Sequence, residues 1–195
     1  IDYFNGDELA AKVFVDKYTF LDKSVLEANN KKFYRFFNVC PLSYKEKFVE
    51  DANKLVKQDY VSNTVPPIQT LNQTYIEKTK GLEHWDFLYN YIKEKLFKTF
   101  NQNFKYKQSW INISTENNAY TFHSHHCDMT CIYYVKNNYP VFGTNIEHDF
   151  IIPFIENSLM FFDGRIQHSV ENMPKELLST PNNYRYTIVF DFNLE

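Results

Sequence analysis

The spacing of apolar residues changes near residue 106, and this change restricts the fold more than any other feature of the chain. Before it the spacing is helical. Leu88, Tyr89, Ile92, Leu96 and Phe100 fall 3, 4, 7, 11 and 15 residues after Trp85, which predicts a helix over 83–101 with one apolar face. Ser43 followed by Glu46 reads as a capping box, and Phe48, Ala52, Leu55 and Val56 recur behind it at helical spacing, so a first helix is predicted over 43–58. After residue 106 the runs are short, and 110–114, 120–125, 130–135, 149–152, 158–162 and 184–192 are strand candidates. Several strands after a helical half describe a mainly β domain, a sandwich or barrel with helices on one outer face.

At 195 residues the chain is expected to be a single domain, with 1–105 as a mostly helical support and 106–195 as the core that carries any site. Nineteen Phe and fifteen Tyr supply enough apolar area for a packed interior and leave room for a homodimer face. With only four Gly, turns fall to Asn, Asp and Pro, and 61–74, centred on Pro66-Pro67, reads as an internal loop. A formal charge of -3 gives no basic field, so nucleic acid is not an expected partner. Cys40, Cys127 and Cys131 make neither an even disulfide set nor a paired zinc framework, which points to a reducing, cytoplasmic setting. No apolar run of about 18 residues and no charged-then-apolar start is present, so neither a membrane span nor a secretory signal is expected. The first residue is Ile1, as in a fragment or processed product.

Three polar groups interrupt the apolar runs of the second half: His123-Ser124-His125, His168, and Arg185-Tyr186-Thr187. Side chains alternate between the faces of a strand, so His123 and His125 project the same way and both reach one metal ion, with His168 closing a third corner from a separate strand. Alternation also puts Arg185, Thr187 and Val189 on one face, where a guanidinium pairs bidentately with a carboxylate and Thr187 adds a hydrogen bond. Thr130, Ile132 and Tyr134 share a face of another strand, and Trp110 and Asn112 share one that lines the same pocket. The plainer reading of His123 and His125 is an exposed polar strand, and His168 with Arg185 weighs against it. His126 faces the other way, while His84 and His148 read as structural or solvated. Cys127 and Cys131 read as packing residues, and the lysines of 93–105 as a solvated helix face.

The order of these groups resembles that of the 2-oxoglutarate and iron(II)-dependent oxygenases, over residues 106 to 195. Thr130-Cys131-Ile132-Tyr133-Tyr134-Val135 looks like the strand after the first metal motif in the prolyl hydroxylases of that superfamily. Ser158-Leu159-Met160-Phe161-Phe162, with His168-Ser169-Val170 behind it, looks like the strand and turn carrying the distal histidine. Arg185-Tyr186-Thr187-Ile188-Val189-Phe190 looks like the closing strand that holds the far carboxylate of 2-oxoglutarate. The resemblance implies a double-stranded β-helix, or cupin-like jelly roll. It implies iron(II) on His123, His125 and His168, and 2-oxoglutarate on Arg185, Thr187, Tyr134, Thr130 and Asn112. It further implies O2 as cosubstrate, and decarboxylation of 2-oxoglutarate to succinate and CO2 coupled to hydroxylation of a C–H bond.

One departure stands out. The superfamily pattern is usually His-x-Asp/Glu, and His125 occupies the place of the carboxylate, leaving the site one negative charge short. Asp128 is the alternative third ligand. Two other readings remain open: a three-histidine cupin-type dioxygenase or metal-binding protein that uses no 2-oxoglutarate, and a non-catalytic β-sandwich binding module. The substrate is expected to be a small molecule or a peptide or protein side chain, selected by the loops over 136–148 and 171–183. Residues 2–19 also resemble the opening segment of some ribonucleotide reductase large chains, with nothing downstream to match that enzyme's cysteines.

Overall fold

A computed structural model of the protein describes residues 23–28, 30–59, 68–69, 79–114, 120–137, 143–148, 150–170 and 184–195. Two antiparallel sheets face each other, and two helices cover the outside of the larger one. In chain order the elements are β1 (Lys23–Ala28), β2 (Lys31–Phe36), α1 (Tyr44–Asp59), β3 (Ile68–Gln69), α2 (Glu83–Phe100), β4 (Phe104–Ser114) and β5 (Tyr120–His123). They continue with β6 (Met129–Lys136), β7 (Thr144–Ile146), β8 (Phe150–Ile152), β9 (Ser158–Phe162), β10 (His168–Val170) and β11 (Arg185–Leu194). The larger sheet runs β1-β2-β9-β6-β11-β4-β3 and the smaller β5-β10-β7-β8.

The strands β6, β9 and β11 of the large sheet are buried on both faces, which is why they read as near-continuous apolar runs. On β6 and β11, Cys131, Tyr133, Val135, Ile188, Phe190 and Phe192 turn toward the helices and join Trp85, Leu88, Ile92 and Leu96 of α2 in one core. The alternate residues Ile132, Tyr134 and Val189 turn inward, joining Trp110, Ile146, Phe154 and Phe162 between the sheets. Phe48 of α1 ties the outer layer together, edge-on at 5.1 Å from Trp85 and 5.5 Å from Tyr133.

The two helices match the sequence expectation, and α2 ends on Asn101, whose left-handed backbone (φ 53°) lets its N–H bond Phe97 O at 2.8 Å. Alongside these helices, the described part of 1–105 also contains strands that were not expected. Residues 23–36 fold as the hairpin β1–β2, and Tyr34, Arg35 and Phe36 pair with Phe161, Met160 and Leu159 of β9 to extend the large sheet. β4 begins at Phe104, earlier than the expected 110, because Phe192, Asn193 and Leu194 of β11 pair with Tyr106, Lys105 and Phe104. Ile68 and Gln69, inside the expected loop, pair with Ile113 and Asn112. β5 stops at His123, two residues early, and β7 was not expected. The segment resembling ribonucleotide reductase, residues 2–19, and the loop over 171–183 lie outside the described residues. No helix among the described residues is long and apolar enough to cross a membrane.

Candidate active site

β5 and β10 lie side by side with His123 opposite His168, so two histidines from distant parts of the chain meet by strand pairing alone. His125 joins them by another route. The chain has left β5 by then, and the His125 N–H donates to Gly164 O at 2.7 Å, which pins the loop against the turn before β10. The ring centroids are 5.3 Å (His123–His125), 4.5 Å (His123–His168) and 4.9 Å (His125–His168) apart. A ligand nitrogen from each lies within 4.8 Å of the others. Three nitrogens that share one ion at about 2.1 Å lie only about 3.0 to 3.6 Å apart, so the three rings could hold a metal by drawing inward.

Hydrogen bonds select the metal-facing nitrogen. Nδ1 of His123 lies 2.8 Å from Thr121 O, and Nδ1 of His168 lies 3.0 Å from Ile166 O. A carbonyl oxygen only accepts, so each Nδ1 carries the proton and Nε2 keeps its lone pair. Burial drives the His168 pKa down to about 3, overcoming the opposing bond to Ile166, and the neighbouring histidines push the same way. Burial also lowers the His123 pKa. Both rings are therefore set up as neutral ligands.

His125 is held by a side chain that sequence reasoning missed. Its Nδ1 is 2.9 Å from Asp191 Oδ1 and 3.0 Å from Thr130 Oγ1. Asp191, fully buried, also accepts from Thr130 Oγ1 at 2.9 Å and from Gln108 Nε2 at 2.8 Å. Burial pushes its carboxyl up, but the hydrogen-bonded contact with His125 and the bonds from Gln108 and Thr130 outweigh it and hold the pKa below the usual carboxylate range. The signal was present in the sequence. Asp191 is two residues past Val189, on the inward face shared by Arg185 and Thr187, and it stands inside the apolar run Ile188-Val189-Phe190-Asp191-Phe192.

One pocket connects the histidines to the arginine. His123, His125 and His168 line it together with Arg185, Thr187 and Asn112. Trp110, Ile132, Thr144, Val170 and Val189 complete its wall. Strand register explains the gathering, since Thr187 sits opposite Asn112 on β4 and Val189 opposite Trp110. Trp110 lies edge-on to His125, with centroids 5.0 Å apart.

Three expected residues fall elsewhere. Tyr134 is behind the pocket wall: its hydroxyl is bonded to Thr144 Oγ1 at 2.7 Å, so Thr144 takes the lining position. The Tyr134 ring lies between two guanidinium groups, 5.0 Å from that of Arg35 and 6.0 Å from that of Arg185. Thr130 is placed beneath His125 and away from Arg185, because it pairs with Asp191 across β6 and β11. Asp128 accepts from the Leu194 N–H at 2.9 Å and belongs to no potential metal cluster among the described residues, whereas His125 lies in one with His123 and His168.

Solved structures share this arrangement of sheets and helices. The non-haem α-ketoglutarate-dependent carbocyclase SnoK from nogalamycin biosynthesis is similar at a TM-score of 0.62 and 9% identity, over 84% of this chain and 79% of that one. HygX from Streptomyces hygroscopicus, solved with nickel and 2-oxoglutarate bound, is similar at 0.59 and 8%, over 83% and 82%. The viral collagen prolyl hydroxylase vCPH from Paramecium Bursaria Chlorella virus-1, in truncated form, is similar at 0.58 and 11%, over 85% and 92%. The chain has the fold of the 2-oxoglutarate and iron(II)-dependent oxygenases. No protein-family model matches the sequence, and no curated protein matches it. The mainly β expectation from the period change near residue 106 holds, and so does the jelly roll implied by the resemblance.

Proposed function

We propose that the chain is a 2-oxoglutarate and iron(II)-dependent dioxygenase that hydroxylates a C–H bond of a small molecule or a peptide or protein side chain. The carrying observation is the single pocket with three histidines at one end and the Arg185, Thr187 and Asn112 group at the other. The donor set fits iron(II): with their Nδ1 protons tied off, the three imidazoles would hold the metal through Nε2, and so small a ligand set would leave room for 2-oxoglutarate and O2. Iron(II) with 2-oxoglutarate and O2 supplies the oxidising power, turning R–H, 2-oxoglutarate and O2 into R–OH, succinate and CO2.

The chain's own residues hold and shield these reactants. Arg185 receives the far carboxylate, its guanidinium carbon 5.2 Å from the Phe154 ring centroid in a setting of low dielectric where a charge-assisted pair is strong. Thr187 and Asn112, opposite one another across β11 and β4, supply further polar atoms along the pocket. Trp110, Ile132 and Val189 form an apolar wall that limits water near the metal.

Anaerobic titration of the apoprotein with iron(II) and then 2-oxoglutarate tests this reading. The wild type should develop the weak visible charge-transfer band of the chelated pair, and Arg185→Ala should require at least about tenfold more 2-oxoglutarate for the same amplitude. Iron binding without the band would favour the cosubstrate-free three-histidine dioxygenase, and no iron binding would leave the binding module.

A further inference from the structure

The pocket replaces the usual metal-bound carboxylate with His125, yet a carboxylate is present one atom shell further out. We propose that Asp191 is the positioning residue that returns the missing negative charge to the metal through the imidazole of His125. This rests on the oxygenase reading and deepens it.

Geometry makes the case. The His125 Nδ1–H, the Thr130 hydroxyl and the Gln108 amide all donate to Asp191, at 2.8 to 2.9 Å, so both carboxylate oxygens act as acceptors. Thr130 Oγ1 spends its proton on Asp191, so its 3.0 Å contact with His125 Nδ1 also requires a proton on Nδ1. Every bond in the group therefore fixes His125 in the tautomer that offers Nε2 to the pocket. A buried anion on the far nitrogen makes that Nε2 a stronger donor than an imidazole bonded to a backbone carbonyl. The Nδ1 atoms of His123 and His168 lie against backbone carbonyls, whereas that of His125, at the position where the carboxylate was exchanged, lies against a carboxylate.

The site thus keeps one carboxylate per metal, displaced from the inner coordination sphere to the layer behind it. An ion entering here meets a formal charge of -1 from Asp191 in a setting that excludes water. Purely structural Asp191 would serve only to satisfy Gln108 and Thr130. The two roles make different demands, because asparagine has nearly the same shape and, with Gln108 turned over, accepts from His125 and Thr130 while bonding Gln108. The substitution removes charge and keeps the hydrogen bonds.

The experiment compares wild type, Asp191→Asn and the double variant Asp191→Asn with His125→Asp, by equilibrium iron(II) binding and by the energy of the iron–2-oxoglutarate band. Asp191→Asn should bind iron(II) about 10–100-fold more weakly, with the band moved to shorter wavelength because a less electron-rich metal gives up an electron less readily. The double variant, with a carboxylate placed directly at the metal, should recover most of the lost affinity. Iron affinity within about threefold of wild type and an unmoved band in Asp191→Asn would overturn the proposal and leave the oxygenase reading intact. A wild type that binds neither iron nor 2-oxoglutarate would overturn both.

Discussion

Each histidine of the site is useful because something else holds its other nitrogen. Two rings are fixed by carbonyls two residues before them in sequence, Thr121 for His123 and Ile166 for His168, so their orientation is built into the local chain. The third is fixed across the sheet by Asp191, 66 residues away. Burial of His168 has a thermodynamic consequence for the metal-free protein. With a folded pKa of about 3 against an ordinary value of 6.5, the unfolded chain holds the extra proton between those values. Stability should therefore be fully present above pH 6.5 and fall as the pH drops toward 3, by on the order of 1.4 kcal/mol per unit. The depressed His123 adds in the same direction. Thermal midpoints of the apoprotein between pH 8 and 4 should fall more steeply for wild type than for His168→Asn, whose amide can still donate to Ile166 O. Parallel slopes would mean that His168 is not held neutral.

At the level of elements, the site depends on a close approach that only glycine permits. Gly164 precedes β10, accepts the His125 N–H and lies against the Cys127 segment; a Cβ there would stand 2.3 Å from Cys127 Sγ and 2.7 Å from Cys127 O. Gly164→Ala should push residues 125–128 away from the turn, costing about 1–3 kcal/mol and weakening iron(II) binding, as read by denaturation midpoints and a metal titration on the same preparation. Unchanged iron affinity would show that the strain relaxes elsewhere. The two helices, the strands of the large sheet after residue 104 and the three histidines were legible because period and alternation report which way a side chain points. Register was not legible, and neither was its result, the pairing of Asp191 with Thr130 and Gln108. β1 and β2 escaped because KSVLEA and KKFYRF are rich in charge, as suits a strand at or near a sheet edge. β7 is three residues long, too short to show any period. Tyr134 was read correctly as inward-facing, but its hydroxyl is taken up by Thr144 from a strand that sequence did not reveal.

Across the whole molecule the large sheet divides labour between its faces. One face packs on α1 and α2 and supplies stability, while the other meets the small sheet and holds the pocket. β11 carries both functions at alternate residues: Arg185, Thr187, Val189 and Asp191 face the site, and Tyr186, Ile188, Phe190 and Phe192 face the helices. A mutation on the helix side should then change stability without changing the site. Leu88 of α2 is fully buried in the outer core, and Leu88→Ala removes enough side chain to cost about 2–5 kcal/mol. Chemical denaturation should show that loss, while iron(II) and 2-oxoglutarate titrations below the lowered unfolding midpoint should overlay those of wild type. The division is stiff because β6 and β11 are hydrogen-bonded on both edges, each between two neighbours, so a cavity on the outer face closes by movement of helix side chains more readily than by bending of the sheet. If Leu88→Ala weakened iron binding in the folded protein, the two faces would be mechanically coupled, and α2 would have to be counted among the elements that set the geometry of the three histidines.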